Sequence, residues 1–231
     1  MSHAVTLCMA RFSNRSEAGR MLASELSSYA SASPLVLALP RGGVPVAYEV
    51  ARALGAELDV WVVRKIGVPW HQEVGVGAVD EDGFVHLNQD ILDNIGLSGP
   101  VLDEAIDQKR REVEERVVKY RAGRPRAALR GRTVIVVDDG IATGGTVRAA
   151  IRSIRSQDPK TLVLAVPVAA AAVATTLASV VDRLVSLRTP RALYAIGLWY
   201  DDFTQVPDEE VVALLERARA ERRDEPQPRA G

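Results

Sequence analysis

The apolar positions along the chain follow two alternating periods. Residues 13–30, SNRSEAGRMLASELSSYA, carry them at helical spacing, and Asn14 with Glu17 three residues later reads as a capping box. Pro34–Leu39 is a short apolar strand, PRGG breaks it, and VPVAYEVARALG returns to a helix that ends at Gly55. Residues 58–63, LDVWVV, predict a second strand, and RKIGVPWHQE after it reads as a loop. VGVGAV and FVHLN flank the turn Asp80–Gly83 as a hairpin. A short helix, NQDILDNIG, precedes a long charged one starting near Pro100, whose charge run fits a solvated face laced with i,i+4 pairs. Val134–Val137 is the next strand, and VRAAIRSIR is its helix. Then follow strand Leu162–Val168, an Ala-rich helix, strand Arg183–Leu187, a last strand in ALYAIGLWY and a last helix in PDEEVVALLERARA.

Continuously apolar strands separated by helices predict an α/β fold: a mostly parallel, doubly wound sheet covered on both faces. Ligands of such sheets bind beyond the carboxyl ends of the strands, at a switch point. PRGG, RKIG and the acids Asp138 and Asp139 each follow a strand directly, so all three are expected to line one crevice.

Length fits one domain over residues 1–220, with ERRDEPQPRAG, 221–231, as a disordered tail. Lys and Arg number 29 against 30 Asp and Glu, a net charge of -1, which gives no electrostatic case for a nucleic-acid or membrane partner. A lone cysteine, Cys8, excludes an internal disulfide framework and fits a reducing, cytoplasmic compartment. The first residues, MSHAVTLCMARF, lack the basic start of a secretory signal. LVLAVPVAAAAVATTLASVV is long enough to suggest a membrane span, but Pro167 and its alanine content favour a buried strand followed by a helix. His3, His71 and His86 do not have zinc-ligand spacing.

The stretch richest in chemistry is VIVVDDGIATGGT, Val134–Thr146. A buried strand ends in two adjacent carboxylates, which repel each other and need a partner. The vicinal hydroxyls of a ribose, or a magnesium ion with its waters, would be one. The following turn opens a helix. Its amides and the hydroxyls of Thr143 and Thr146 form a nest for a phosphate, and Gly144 and Gly145 keep Cβ atoms out of the way. The turn lacks the lysine of a Walker loop and the spacing of GxGxxG.

VIVVDDGIATGGT resembles the phosphoribosyl-pyrophosphate (PRPP) signature of the type I phosphoribosyltransferases, without a gap. The resemblance implies Mg2+-dependent transfer of ribose 5-phosphate from PRPP to a nitrogen acceptor, with release of pyrophosphate. It places the ribose hydroxyls, and the metal indirectly, on Asp138 and Asp139, and the 5-phosphate on Ala142, Thr143, Gly144, Gly145 and Thr146. LPRGG stands where the family keeps its pyrophosphate loop, which implies that role for Pro40, Arg41, Gly42 and Gly43 and a non-proline cis peptide at Pro40–Arg41. Arg64 and Lys65 begin the segment that matches the family's mobile loop, where either would neutralise the leaving pyrophosphate. Arg41, Arg64 and Lys65 are therefore the candidate catalytic cations. A hood over the acceptor is expected from about residues 11–30 and 190–215, with Trp199 and Tyr200 as candidates to stack on a base or to pack the core.

The 6-oxopurine enzymes carry an acid in the phosphate turn where this chain has Ala142, which argues against that acceptor class. The order PRGGVPVA, RKIGVPWHQE, GAV and WYDDF is similar to a group of bacterial members with no assigned acceptor, over about Arg11 to Val212. Members are often homodimers, but no residue here marks an interface. Two other functions fit the same motifs: a regulator that senses PRPP or nucleotides without chemistry, and a hydrolase of ribose 5-phosphate compounds.

Overall fold

The computed structural model describes residues 11–68 and 71–224. Its centre is a five-stranded, wholly parallel sheet in the order β2-β1-β6-β7-β8. The strands are β1 (Leu35–Ala38), β2 (Glu57–Val60), β6 (Thr133–Val137), β7 (Thr161–Val168) and β8 (Arg183–Arg188). A second sheet of three antiparallel strands holds β3 (Val63–Val68), β4 (His71–Asp80) and β5 (Val85–Leu87). The helices are α1 (Arg15–Glu25), α2 (Gly43–Leu54), α3 (Gln89–Ile95), α4 (Pro100–Arg121), α5 (Gly145–Arg155), α6 (Ala171–Ala178) and α7 (Asp208–Asp224).

Alternation along each central strand sends its side chains to two separate cores, as a sheet covered on both faces requires. Val36, Ala38, Ile135, Val137 and Val163 pack with α2 and α7. Leu35, Leu37, Val134, Val136 and Leu164 pack with α5 and α6. Pro167 lies in β7, and no helix of the described residues is long and apolar enough to cross a membrane. The expected cap of α1 is present: Asn14 Oδ1 accepts from the Glu17 N–H at 2.9 Å, and the Glu17 carboxylate accepts from the Ser13 N–H.

Strand order fixes where a ligand can sit. The chain runs outward from β1 to β2, then re-enters the sheet on the other side of β1 as β6. The turns after β1 and β6 diverge there, leaving a crevice. They begin in contact, the Leu39 N–H donating to the Val137 carbonyl at 2.9 Å.

Three expectations change. RKIGVPWHQE is not a plain loop: Arg64–Val68 lie in β3, with register shifts around Gly67, and β4 begins at His71. Two cations and a glycine hide the strand period, because the partner strand, not the local sequence, fixes it. Pro69 and Trp70 lie outside the described residues. ALYAIGLWY is not a strand either. Residues 196–199 form a 3-10 turn and Tyr200 makes a single bridge to Phe12. This segment crosses the strand ends instead of extending the sheet: Ile196 covers Gly140, and Gly197 sits against the Phe203 ring, where a Cβ would come within 2.9 Å of Cδ1. Finally, α7 runs to Asp224, four residues into the expected tail; the rest of that tail lies outside the described residues.

A buried ion network fastens the three-stranded sheet to the central one. Arg121, at the end of α4, donates to the Val60 carbonyl at 2.8 Å and to both Glu81 oxygens at 2.9 and 3.1 Å. Its Nε reaches Asp59 Oδ1 at 3.4 Å. Glu81 also accepts from the Val62 N–H, and Asp59 from the Ala127 N–H. The network fixes the segment that leads directly into β3.

Candidate active site

A cavity of about 390 Å3 opens at the switch point. Leu39–Gly42 after β1 and Asp138 after β6 form one side, Val63–Lys65 of β3 another, and Thr146 closes the α5 end. The three segments expected to share a crevice do share it. Helix α4 adds Lys109 and Glu112, which the sequence suggested only as part of a solvated face.

The phosphate turn is built as a donor nest. Gly144 is left-handed, with φ 76°, and a Cβ on it would come within 2.7 Å of Val173 Cγ1, so only glycine fits without displacement. From Ala142 to Val147 no backbone N–H finds a protein partner among the described residues. Six donors in sequence at the start of an amphipathic helix have the geometry to hold an anion. Thr146 lines the cavity, and Thr143 is exposed.

The PRGG turn is pressed against the acids. The Pro40–Arg41 peptide is cis, where the resemblance placed it. A Cβ on Gly42 would lie 2.0 Å from Asp139 Oδ2, and one on Gly43 would lie 2.8 Å from the Val137 carbonyl. Gly42 is dictated by the carboxylate behind it and Gly43 by the backbone at the end of β6. The N–H groups of Arg41 and Gly42 also have no protein partner among the described residues.

The two acids are not equivalent. Asp139 is buried, and its Oδ2 accepts from Arg15 Nε at 2.8 Å. Arg15 comes from the first turn of α1, is itself buried, donates to the Thr204 carbonyl at 2.9 Å and lies 3.8 Å over the Phe203 ring. Asp138 faces the cavity, and among the described residues its Oδ1 accepts only from the Asp139 N–H, at 2.9 Å. Burial and the neighbouring Asp139 charge push the Asp138 carboxyl well above the usual range. Burial also raises Asp139, against the pull of Arg15.

The cations gather on the α4 side. Arg64 approaches Glu112 at 4.0 Å, while Lys109 donates to Glu112 at 2.6 Å. Arg41 is 3.9 Å from Asp208, which also takes Lys119 at 3.0 Å and the Tyr120 hydroxyl at 2.6 Å. Burial, with the guanidiniums of Arg116 and Arg41 nearby, lowers the Arg64 pKa. Lys65 lines the cavity, with its methylenes lying over Gly75 of β4.

Tyr200 is not available to stack on a base. It is 1% exposed, its ring is packed between Phe12 and Phe203, and its hydroxyl donates to the Asp139 carbonyl at 2.6 Å. Burial first, and then the Asp139 charge, raise its pKa, so it remains a phenol donor. Trp199 is half-buried and packs on the same cluster. The fully exposed aromatic of this segment is Tyr194, at 91%. Tyr200→Phe is expected to remove about 1 kcal/mol of stability, or about 2–4 °C in Tm for a chain of this size. Thermal unfolding followed by circular dichroism checks this; an unchanged Tm would show that the hydroxyl does not brace the acids.

Of the two roles expected for Tyr200 the structure shows the packing one, and Arg15 is the residue that sequence reasoning missed. Arg15 reads as an ordinary first-turn arginine, and only the burial of Asp139 makes it essential.

The phosphoribosyl transferase domain model matches residues 13–186. The chain belongs to the phosphoribosyl transferase domain family. A Mycobacterium tuberculosis protein, named provisionally as a phosphoribosyl transferase and found in two strains, is 44% identical over 210 residues. That match covers 91% of this chain and 47% of the relative, so the chain spans about half the length of the curated relatives it matches. The crystal structure of TT1426 from Thermus thermophilus superposes with a TM-score of 0.77 at 41% identity, covering 90% of this chain and 98% of that one. The family match takes in the PRGG turn, the acid pair and the phosphate turn. It ends before the Ile196–Trp199 turn that lies over Gly140.

Proposed function

We propose that the protein transfers ribose 5-phosphate from PRPP to the nitrogen of an acceptor, a nucleobase, and releases pyrophosphate. The observation that carries this reading is the spacing of three features around one cavity: a cavity-facing carboxylate, a donor nest and a cationic wall. They match the hydroxyls, 5-phosphate and pyrophosphate of one donor molecule. Thr146 and the free amides bind the 5-phosphate, Asp138 takes ribose hydroxyls, and the Arg41 and Gly42 amides take pyrophosphate oxygens. Arg41, Arg64 and Lys65 stabilise the charge that develops on pyrophosphate as the C1–O bond breaks.

Among the described residues no group of three His, Cys, Asp or Glu could hold a metal. That fits Mg2+, which is commonly bound by one or two carboxylates together with substrate phosphates. Asp138, with Asp139 behind it, is the carboxylate that would hold it through water or ribose, and Mg2+ would neutralise the leaving group when bound. This chain's own residues orient the donor and exclude water.

The test is pyrophosphate release from PRPP and Mg2+ with a panel of bases. Release that needs a base supports the transferase. Release without any base supports a hydrolase, and tight donor binding with no release supports a sensor. In the first case Arg41→Ala is expected to lower the rate by about 100–1,000-fold, the usual effect of losing one charge-stabilising donor. A rate within threefold of wild type would remove Arg41 from the leaving-group site.

A further inference from the structure

We propose that the protein carries a second ligand site, for a small molecule bearing a di- or triphosphate, in the groove between α5 and the three-stranded sheet. A cavity of about 420 Å3 opens there, beside the donor cavity and of similar size. One wall is α5, which contributes Arg148 and Arg152. The other is formed by β4 and β5, with Asn88 following them. Lys65 of β3 lines both cavities.

The two arginines carry the assignment. They stand one turn apart on α5, where like charges repel. Arg148 also lies near the amino end of that helix, where the dipole favours an acid and the first turn has none. Arg155, on the same helix, is paired with Asp182 at 3.1 Å. Neither Arg148 nor Arg152 forms an ion pair with a described residue, and Asp90, exposed at the edge of the cavity, reaches neither. Two guanidiniums facing one cavity without a carboxylate are compensated by a ligand that brings negative charge. Guanidinium forks match phosphate oxygens, and a separation of one helical turn, about 5.4 Å, lets each take a different phosphate of the same molecule. Ala78, Leu87 and Ala149 give the cavity an apolar side for the rest of that molecule.

Lys65 connects the two sites. Its methylenes lie over Gly75, where a Cβ would come within 2.8 Å of Cδ, so its chain runs along the wall between the cavities. One ammonium cannot neutralise anions in both at once. A ligand on Arg148 and Arg152 therefore draws on the charge assigned above to leaving pyrophosphate, which makes the second site inhibitory. This coupling, unlike the site itself, rests on the transferase reading.

Tripolyphosphate is the probe, titrated by calorimetry with Mg2+ in excess, both without PRPP and with PRPP saturating. The wild-type protein is expected to bind it in both conditions. The Arg148→Gln, Arg152→Gln double variant is expected to lose at least about tenfold in that affinity while PRPP saturates, with PRPP affinity and Tm unchanged. Arg152→Gln alone, at an exposed position, repeats the comparison without disturbing packing. Loss of the tripolyphosphate signal when PRPP saturates would make the cavity an extension of the donor site and overturn the proposal. Equal affinities in the wild type and the double variant would also overturn it. In pyrophosphate release at saturating PRPP, tripolyphosphate is expected to slow the wild type more than the double variant, and equal slowing would remove the coupling through Lys65. A wild-type protein that binds no PRPP would sink the donor reading instead, and the comparison of variants without PRPP then decides the second site.

Discussion

Replacing Arg121 with methionine is expected to cost the protein about 3–5 kcal/mol, the range for removing one partner from a buried ion pair. In a chain of this size that corresponds to a fall in Tm of about 6–20 °C. The size follows from what is left behind. Asp59 and Glu81 are buried, and Arg121 is the cation that reaches both. Arg126 approaches Glu81 only at 3.5 Å and makes its close contact with Asp82. Burial already raises the Glu81 pKa, and the Arg121 charge is the largest opposing influence. A carboxyl with a raised folded pKa favours the fold while protonated and loses that contribution as pH rises through the folded pKa. Removing Arg121 raises that pKa further. The deficit of Arg121→Met should therefore be greatest near neutral pH and shrink on acidification. Glu81→Gln in the same chain should recover part of it. Urea unfolding across pH measures both, and a deficit independent of pH would show that the loss is one of packing.

Gly42→Ala is expected to reach the donor site itself. The added carbon would stand 2.0 Å from a carboxylate oxygen that Arg15 prevents from moving aside. Either the PRGG turn lifts or the Arg15–Asp139 pair breaks. Overpacking of this kind costs about 1–3 kcal/mol. Because the displaced atoms are the amides proposed to take pyrophosphate oxygens, a similar loss in donor affinity, about 5–150-fold, should accompany it. An affinity equal to that of the wild-type protein, measured by calorimetry, would mean that the close approach of Gly42 to Asp139 is not needed for binding.

The sequence disclosed the parts of this fold whose physics is local. Continuous apolar runs in β1, β6 and β7 announce buried parallel strands, Asn14 and Glu17 announce the start of α1, and the glycines announce the turns. The acid pair and the phosphate turn were legible because strand, acids and helix start are consecutive. What was hidden depends on distant partners. The strand character of Arg64–Val68 comes from pairing with β4. The groove-facing part of α4 is set by the position of β3, not by the charge pattern of the helix. The sequence leaves Tyr200 between stacking on a base and packing the core, and only Phe12, Phe203 and the Asp139 carbonyl around it decide for the core.

The bonds that complete the acid pair join remote parts of the chain. Arg15 meets Asp139 across 124 positions and Thr204 across 189. Synthesis therefore delivers the pieces in a fixed order. The five central strands are all available once residue 188 has left the ribosome, but the clamp on Asp139 waits for Tyr200, Phe203 and Thr204. The clamp on Asp139 and the helix that covers one face of the sheet, α7, are thus both supplied by the last part of the chain, so the strands alone complete neither the core nor the pocket.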